Sequence, residues 1–192
     1  MDLAKVEAGK SEVHLEDVPL DELSIYVKNN FQYQVKEKGL ILNIKKDDSA
    51  PETIHTDFQK VLQIIKNLLS NAIKFTEQGT IGFYISRSDN KADLFNTNLD
   101  PAQTIAIRVS DTGIGIPEEK QGLIFEAFQQ VDGSTSRKYG GTGLGLSISR
   151  EMVKLLGGNM TLQSDQGEGS VFTLYLPYIH PTKLEKNNEL GG

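Results

Sequence analysis

Cysteine is missing from all 192 residues. Its absence excludes disulfides, thiolate-bound metals and a cysteine nucleophile, and it fits a reducing compartment. Long apolar runs are missing too, since none approaches the roughly 20 residues that a membrane-crossing helix needs. The opening stretch MDLAKVEAGK is charged and has no apolar signal-peptide core. Positive charge is in short supply. Lys and Arg number 20 against 26 Asp and Glu, for a net charge of −6, the wrong sign for a nucleic-acid backbone. These absences predict a soluble, cytoplasmic chain that binds no nucleic acid. With 38% hydrophobic and 24% charged residues, the rest is ordinary for a globular domain and sufficient for one core. There is no internal repeat.

Residues 13–18, VHLEDV, alternate like a strand. Pro19 opens a helix pattern with Leu20, Leu23, Val27, Phe31 and Val35 on one face, and Gly39 suits the position just past its end. LILNIKK (40–46) reads as a second strand. DDSAPETIHT reads as a loop delivering Thr56 or Asp57 as the cap of a long helix over 57–75. Phe58, Val61, Leu62, Ile65, Leu68, Leu69 and Ala72 give that helix a broad apolar face. TIGFYIS (80–86) and TIAIRVS (104–110) alternate as strands, with a polar surface insertion between them. A helix over 144–156 stops at Gly157 and Gly158, and MTLQS (160–164) with SVFTLYL (170–176) forms a hairpin around Gly167 and Gly169. Residues 179–192 have no core-forming content and read as a disordered tail. Hairpins mixed with single crossovers predict an α/β two-layer sandwich, with a mixed, mostly antiparallel sheet and helices on one face.

Three stretches carry candidate chemistry. Asn67, Asn71 and Lys74 sit at i, i+4 and i+7, on a stripe opposite the apolar face of the long helix. The stripe is either a solvated surface or a site. Asparagine forms helices poorly, and two amide oxygens one turn apart, with a lysine beyond, can hold a hydrated Mg²⁺ and a phosphate. SDTGIGIPEE (110–119) places Asp111 directly after a strand, with Gly113 and Gly115 flanking Ile114. This is either an Asx-capped turn or an aspartate fixed as an acceptor, with glycines that let a planar ligand approach the backbone. KYGGTGLGLSISREMVKLLGG (138–158) puts Gly140, Gly141, Gly143 and Gly145 ahead of a helix, although a glycine costs about 1 kcal/mol inside one. The cluster is either a plain flexible loop or a set of free N–H groups at the positive end of a helix dipole, where phosphate binds. Its spacing fits neither the dinucleotide-binding nor the P-loop pattern. Ahead of it, Ile124, Phe125 and Phe128 can form a hydrophobic plug, DGSTS can move, and Arg137 and Lys138 can meet a polyphosphate. Together these features predict a nucleotide site.

At this point a family likeness is visible. NLLSNAIKFT resembles the N box of bacterial sensor histidine kinases, and DTGIGIP their first glycine box. IFEAFQQVDGSTSRKYGG is similar to their phenylalanine box and lid, GTGLGLSI to their second glycine box, and SDQGEGSVFTLYLP to their closing strand pair. The resemblance spans about residues 12–178 with four motifs in order, and the wording is nearest to hybrid-type kinases. It implies a Bergerat-type ATP-binding fold that binds Mg²⁺-ATP and transfers the γ-phosphoryl group to a histidine on a separate dimerisation domain. By the same resemblance Asn71 holds Mg²⁺ with Asn67 beside it, Lys74 approaches a phosphate, and Phe75 lines the adenine pocket. Asp111 accepts from the adenine amino group, and Gly113, Gly115 and Ile116 shape that pocket. Arg137 and Lys138 reach the terminal phosphate end. Gly141, Thr142, Gly143, Leu144, Gly145 and Leu146 cradle the phosphates, and Ser170 lies near the adenine.

Related ATPases of the gyrase, mismatch-repair and chaperone types carry a glutamate four residues before the metal-binding asparagine. Asn67 stands there in this chain, and an amide is a poor general base. Slow hydrolysis and phosphoryl transfer are therefore expected. A hydrolytic ATPase, a non-enzymatic nucleotide-sensing module and an anti-sigma-type serine kinase are the alternatives. The resemblance also makes residues 1–11 the end of a dimerisation helix or linker and places a lid at about 118–142 that orders on nucleotide. It makes a response regulator or receiver domain the downstream partner. His14, His55 and His180 lack the context of a phosphoacceptor. The acceptor is thus expected on another domain, and the chain, without dimerising helices, is expected to be monomeric. Two departures from the family pattern are Lys60, where arginine is more usual, and the long 88–103 segment.

Overall fold

The computed structural model describes residues 12–88, 91, 94–126 and 145–183. Strand β1 (Glu16–Pro19) leads into helix α1 (Leu20–Glu37). Pro19 has a preset φ of −65° and no N–H to leave unsatisfied, so it can sit at the helix boundary. Asp21 and Glu22 in the first turn and Lys36 in the last complement the helix dipole. The predicted stripe from Leu20 to Val35 is buried, and Gly39 ends the helix at φ +75°. Strand β2 (Ile41–Lys46) follows, then β3 (Thr53–Thr56), and then helix α2 (Phe58–Phe75), capped by Asp57. Strands β4 (Thr80–Arg87) and β5 (Thr104–Asp111) flank the insertion. A single helical turn, α3 (Glu118–Gln121), precedes the undescribed segment, and α4 (Gly145–Leu155), β6 (Asn159–Asp165) and β7 (Gly169–Pro177) complete the fold.

Five strands form one sheet in the order β2-β4-β5-β7-β6. Strands β2 and β4 are parallel, joined by a crossover through α2, and every other neighbour pair is antiparallel. Alternation along β4, β5 and β7 turns Ile81, Phe83, Ile85, Ile105, Ile107, Val109, Phe172, Leu174 and Leu176 into one core with the helices. The predicted mixed sandwich is thus the observed architecture. Among the described residues, no helix is long and apolar enough to cross a membrane.

Three local expectations need correction. Residues 53–56 are not loop: β3 pairs antiparallel with β1, with Glu16 opposite Thr56 and Pro19 opposite Thr53. Four residues are too few for periodicity to register. The 88–103 insertion is not wholly on the surface, because Leu94 is buried with Ala106 and Tyr175 on the far face of the sheet. The packed chain also runs past residue 178. The His55 N–H donates to the Tyr178 carbonyl and that of His180 to the His55 carbonyl, and the buried His180 ring bonds the Leu155 carbonyl at the end of α4.

Candidate functional site

Helix α2 is held at both ends. At its start Asp57 accepts from the N–H of Lys60 (3.1 Å) through one oxygen, and from the N–H of His14 (2.9 Å) and Lys60 Nζ (3.0 Å) through the other. Lys60 Nζ also donates to the Glu12 carbonyl at 2.7 Å. Both side chains are almost fully buried. Burial pushes the Asp57 carboxyl up, but the His14 and Lys60 N–H groups and the Lys60 ammonium outweigh it and hold it below the usual range. At the other end Lys38 Nζ donates to the carbonyls of Ile73 and Lys74 in the last turn.

The Asn67–Asn71–Lys74 stripe does not face away from the fold, as the helical wheel suggested; all three residues are half-buried. Asn67 Nδ2 donates to the Gly145 carbonyl (3.1 Å) and to Ser149 Oγ (3.0 Å), and Ser149 Oγ itself bonds that carbonyl at 2.9 Å. The Asn67 end of the stripe thus lies against the first turn of α4, 78 residues away in sequence. The Asn67 amide works here as a donor. A carboxylate in its place would confront a carbonyl oxygen with no proton between them. Lys74 Nζ sits 5.3 Å from the centroid of the Phe75 ring, within cation–π range.

Asp111 ends β5, half-buried. Its Oδ1 accepts from the Gly113 N–H at 2.9 Å. Burial pushes the carboxyl above the usual range, offset in part by the N–H groups of Gly113 and Ser170 and by the Thr76 hydroxyl. A Cβ on Gly113 would lie 2.3 Å from the Phe75 carbonyl and 2.9 Å from Asp111 Oδ1. Glycine is what lets this loop close on the end of α2, where the Ile114 N–H bonds the Phe75 carbonyl. The loop is tied equally to the β6–β7 hairpin. The Gly167 N–H donates to the Ile114 carbonyl (2.7 Å) and the Ile116 N–H to Ser164 Oγ (2.8 Å). Ser164 Oγ also bonds Ser170 Oγ at 2.8 Å.

Sequence reasoning missed Ser164 and Gln121. Gln121 Nε2 donates to the carbonyls of Ile116 (2.9 Å) and Ser164 (2.8 Å), fastening α3 to both the loop and the hairpin. Gln121 lies outside the quoted motifs, Ser164 opens the SDQGEGSVFTLYLP stretch without being singled out in it, and the bond between them spans 43 residues. Ile124 is buried and Phe125 packs edge-on against Phe172, at 6.3 Å between centroids. The structure therefore brings Asn67, Asn71, Lys74, Phe75, Asp111, Gly113, Gly115, Ile116, Gly145, Leu146 and Ser170 to one end of the α2–β5–α4 layer. Arg137, Lys138, Gly141, Thr142, Gly143, Leu144 and Phe128 lie outside the described residues, as does most of the proposed lid. His14, His55 and His180 all serve locally: the His14 backbone and the rings of the other two bond Asp57, Asp17 and the Leu155 carbonyl.

Gly115 provides a test of this loop. It sits at φ +65°, and a Cβ there would lie 1.9 Å from the Asp165 carbonyl. Gly115→Ala is expected to lower stability by about 2 kcal/mol from the left-handed backbone alone, and more from the clash. Thermal unfolding checks this against Gly122→Ala, whose Cβ meets nothing within 4 Å and which should be near neutral.

Comparison with known proteins agrees with this geometry. Residues 56–180 match the family profile of histidine kinase-, DNA gyrase B- and HSP90-like ATPases. The chain is 38% identical over 180 residues to the circadian input-output histidine kinase CikA of Synechococcus elongatus, covering 92% of this chain and 22% of that protein. It is 38% identical over 176 residues to the signal transduction histidine-protein kinase BarA of Escherichia coli, covering 92% and 18%. With the autoinducer 2 sensor kinase/phosphatase LuxQ of Vibrio cholerae it shares 36% over 177 residues, covering 92% and 20%. The chain thus spans about a fifth of the length of these curated relatives. Among solved structures, full-length ShkA in complex with AMPPNP superposes with a TM-score of 0.76 at 28% identity, covering 91% of this chain and 33% of that one. The nucleotide-free catalytic domain of the histidine kinase ThkA gives 0.67 at 25%, covering 86% and 99%. The chain belongs to the histidine kinase-, DNA gyrase B- and HSP90-like ATPase family, and CikA, BarA and ThkA among the proteins it resembles are histidine kinases.

Proposed function

We propose that this chain is the catalytic, ATP-binding domain of a two-component sensor histidine kinase, passing the γ-phosphoryl group of Mg²⁺-ATP to a histidine on a separate dimerisation domain. The observation that carries the proposal is the Asn67 bond to the Gly145 carbonyl. It sets the polar stripe of α2 against the start of the helix that follows the glycine run. Asp111, at the end of β5, supplies a base-binding acceptor at the C-terminal edge of the same layer.

In this reading Asp111 accepts from the adenine amino group, Phe75 and Ile116 line the base, and Ser170 stands beside Asp111 on the neighbouring strand. Lys74 and the N–H groups before α4 neutralise phosphate charge, joined by Arg137 and Lys138 from the lid. A lid over about 118–142 that closes on the nucleotide would exclude water, with Gln121 as its fixed root. No three His, Asp or Glu side chains gather into a metal nest among the described residues. By the family likeness the protein's share of a Mg²⁺ site is the Asn71 amide, with phosphate and water oxygens completing the shell, which suits that ion. When bound, Mg²⁺ offsets charge on the phosphates. Catalysis of phosphoryl transfer is chiefly positioning and charge neutralisation, and this donor set provides both without a base of its own.

The transferase reading is tested with γ-labelled ATP. The chain alone is expected to leave the label on the nucleotide. Adding a histidine-bearing dimerisation domain in trans is expected to move it to an acid-labile phosphohistidine. Rapid release of inorganic phosphate by the chain alone would instead identify a hydrolytic ATPase.

A further inference from the structure

Three polar residues stand directly opposite one another at one end of the sheet: Asp111 on β5, Ser170 on β7 and Ser164 on β6. Two residues further in along the same strands, Val109, Phe172 and Leu162 pack in the core, so the row lies on the helix face of the sheet. Strand β7 runs between β5 and β6, which places Ser170 between the other two. The Ser170 N–H helps to satisfy the Asp111 carboxyl.

The Ser164 hydroxyl has three close partners. Its Oγ lies 2.8 Å from the Ile116 nitrogen, 2.9 Å from the Gly169 carbonyl oxygen and 2.8 Å from Ser170 Oγ. A hydroxyl has one proton and two lone pairs to share among them. The Ile116 N–H can only donate, and the Gly169 carbonyl can only accept. Ser164 therefore gives its proton to Gly169 and keeps its second lone pair for Ser170. The reverse assignment would set the Gly169 carbonyl against a lone pair at 2.9 Å. Ser170 is thus the donor of the serine pair, and its one hydroxyl proton turns toward β6, away from Asp111. Gln121 holds this acceptor in place, since its Nε2 donates to the carbonyls of both Ile116 and Ser164.

From this proton count we infer that Ser164 is a positioning residue for base selection, which keeps the Ser170 hydroxyl proton away from Asp111. The inference rests on the proposed nucleotide reading, in which Asp111 accepts from the base. With the Ser170 proton committed to Ser164, that hydroxyl neither occupies the carboxylate nor offers a donor beside it. The base end then favours an edge that carries an amino group, as in adenine, over one that carries an oxo group, as in guanine. Without Ser164 the freed proton can turn to the carboxylate, where it competes with the amino group, or donate to an oxo group.

Calorimetry with ADP and GDP tests the inference. The parent chain should prefer ADP by roughly 100-fold or more. Ser164→Ala should cut that preference by about tenfold or more, the worth of one misplaced hydrogen bond. Adding Ser170→Ala to Ser164→Ala should restore most of it, because the freed proton is then gone. A second truncation would not repair a role in hairpin packing alone. A neutron structure of the parent, exchanged into heavy water, reads the same point without any variant: the deuteron on Ser170 Oγ should point at Ser164 Oγ. An unchanged preference in Ser164→Ala, a double variant no more selective than the single one, or a Ser170 deuteron aimed at Asp111 would each overturn the inference while ADP binding, and with it the nucleotide reading, stood. A folded parent that binds neither nucleotide would overturn both.

Discussion

Asp111→Asn is expected to weaken ATP binding at least 100-fold, about 2.7 kcal/mol, while leaving the fold as stable as before or more so. The two effects separate because the carboxylate is held against the preference of its surroundings. Burial raises its pKa, and a group whose pKa is raised on folding contributes stability below its unfolded pKa that is lost as pH rises through the folded value. At neutral pH the ionised form is thus a cost to folding that asparagine removes, and this offsets the acceptor that the Ser170 N–H or the Thr76 hydroxyl loses. Binding responds oppositely. One carboxylate oxygen already accepts from the Gly113 N–H. Asparagine keeps one oxygen for that bond and turns an NH₂ group toward the base, donor against donor. Calorimetry with ATP and thermal unfolding of both proteins check the two halves. Unchanged affinity would remove Asp111 from the site, and a large loss of stability would make its role structural.

Asp57→Ala should cost 3–5 kcal/mol, about what removing one partner of a buried ion pair costs. The loss strands Lys60 Nζ, left with only the Glu12 carbonyl, and orphans the N–H groups of His14 and Lys60. At about 2–4 °C per kcal/mol for a domain of this size, the midpoint should fall by roughly 10 °C. The double variant with Lys60→Met should recover part of that, since it removes the stranded charge as well. The pH dependence has the opposite sign to that of Asp111. The Asp57 carboxyl is held below its ordinary 3.8, so its contribution is present above that value and lost as pH falls through the folded one. Urea unfolding at successive pH values below about 4 should therefore show a steeper decline in the parent than in Asp57→Ala. Parallel declines would mean that this carboxylate does not carry the acid sensitivity.

The elements with an unbroken period were legible. Leu20 to Val35 and Val61 to Ala72 repeat at helical spacing, β4, β5 and β7 alternate, and of the two predicted caps, Thr56 and Asp57, the second is the observed one. Strand β3 was not legible, because Thr53–Thr56 is defined by pairing with β1 rather than by any pattern of its own. Leu94 stayed hidden for a related reason: a leucine in a largely polar insertion shows its burial only when Ala106 and Tyr175 are placed beneath it. Within the site, residue types and spacing pointed to Asp111, Gly113 and the α2 asparagines. The donor role of Asn67 depends on a contact spanning 78 residues, and that of Gln121 on one spanning 43. No local pattern encodes either.

The central claim is that the end of the α2–β5–α4 layer is a nucleotide site. Calorimetric titration of the purified chain with Mg²⁺-ATP tests it most directly. The account predicts saturable one-site binding in the micromolar range or tighter, abolished by Asp111→Asn. A folded chain that takes up no ATP at millimolar concentration would contradict it.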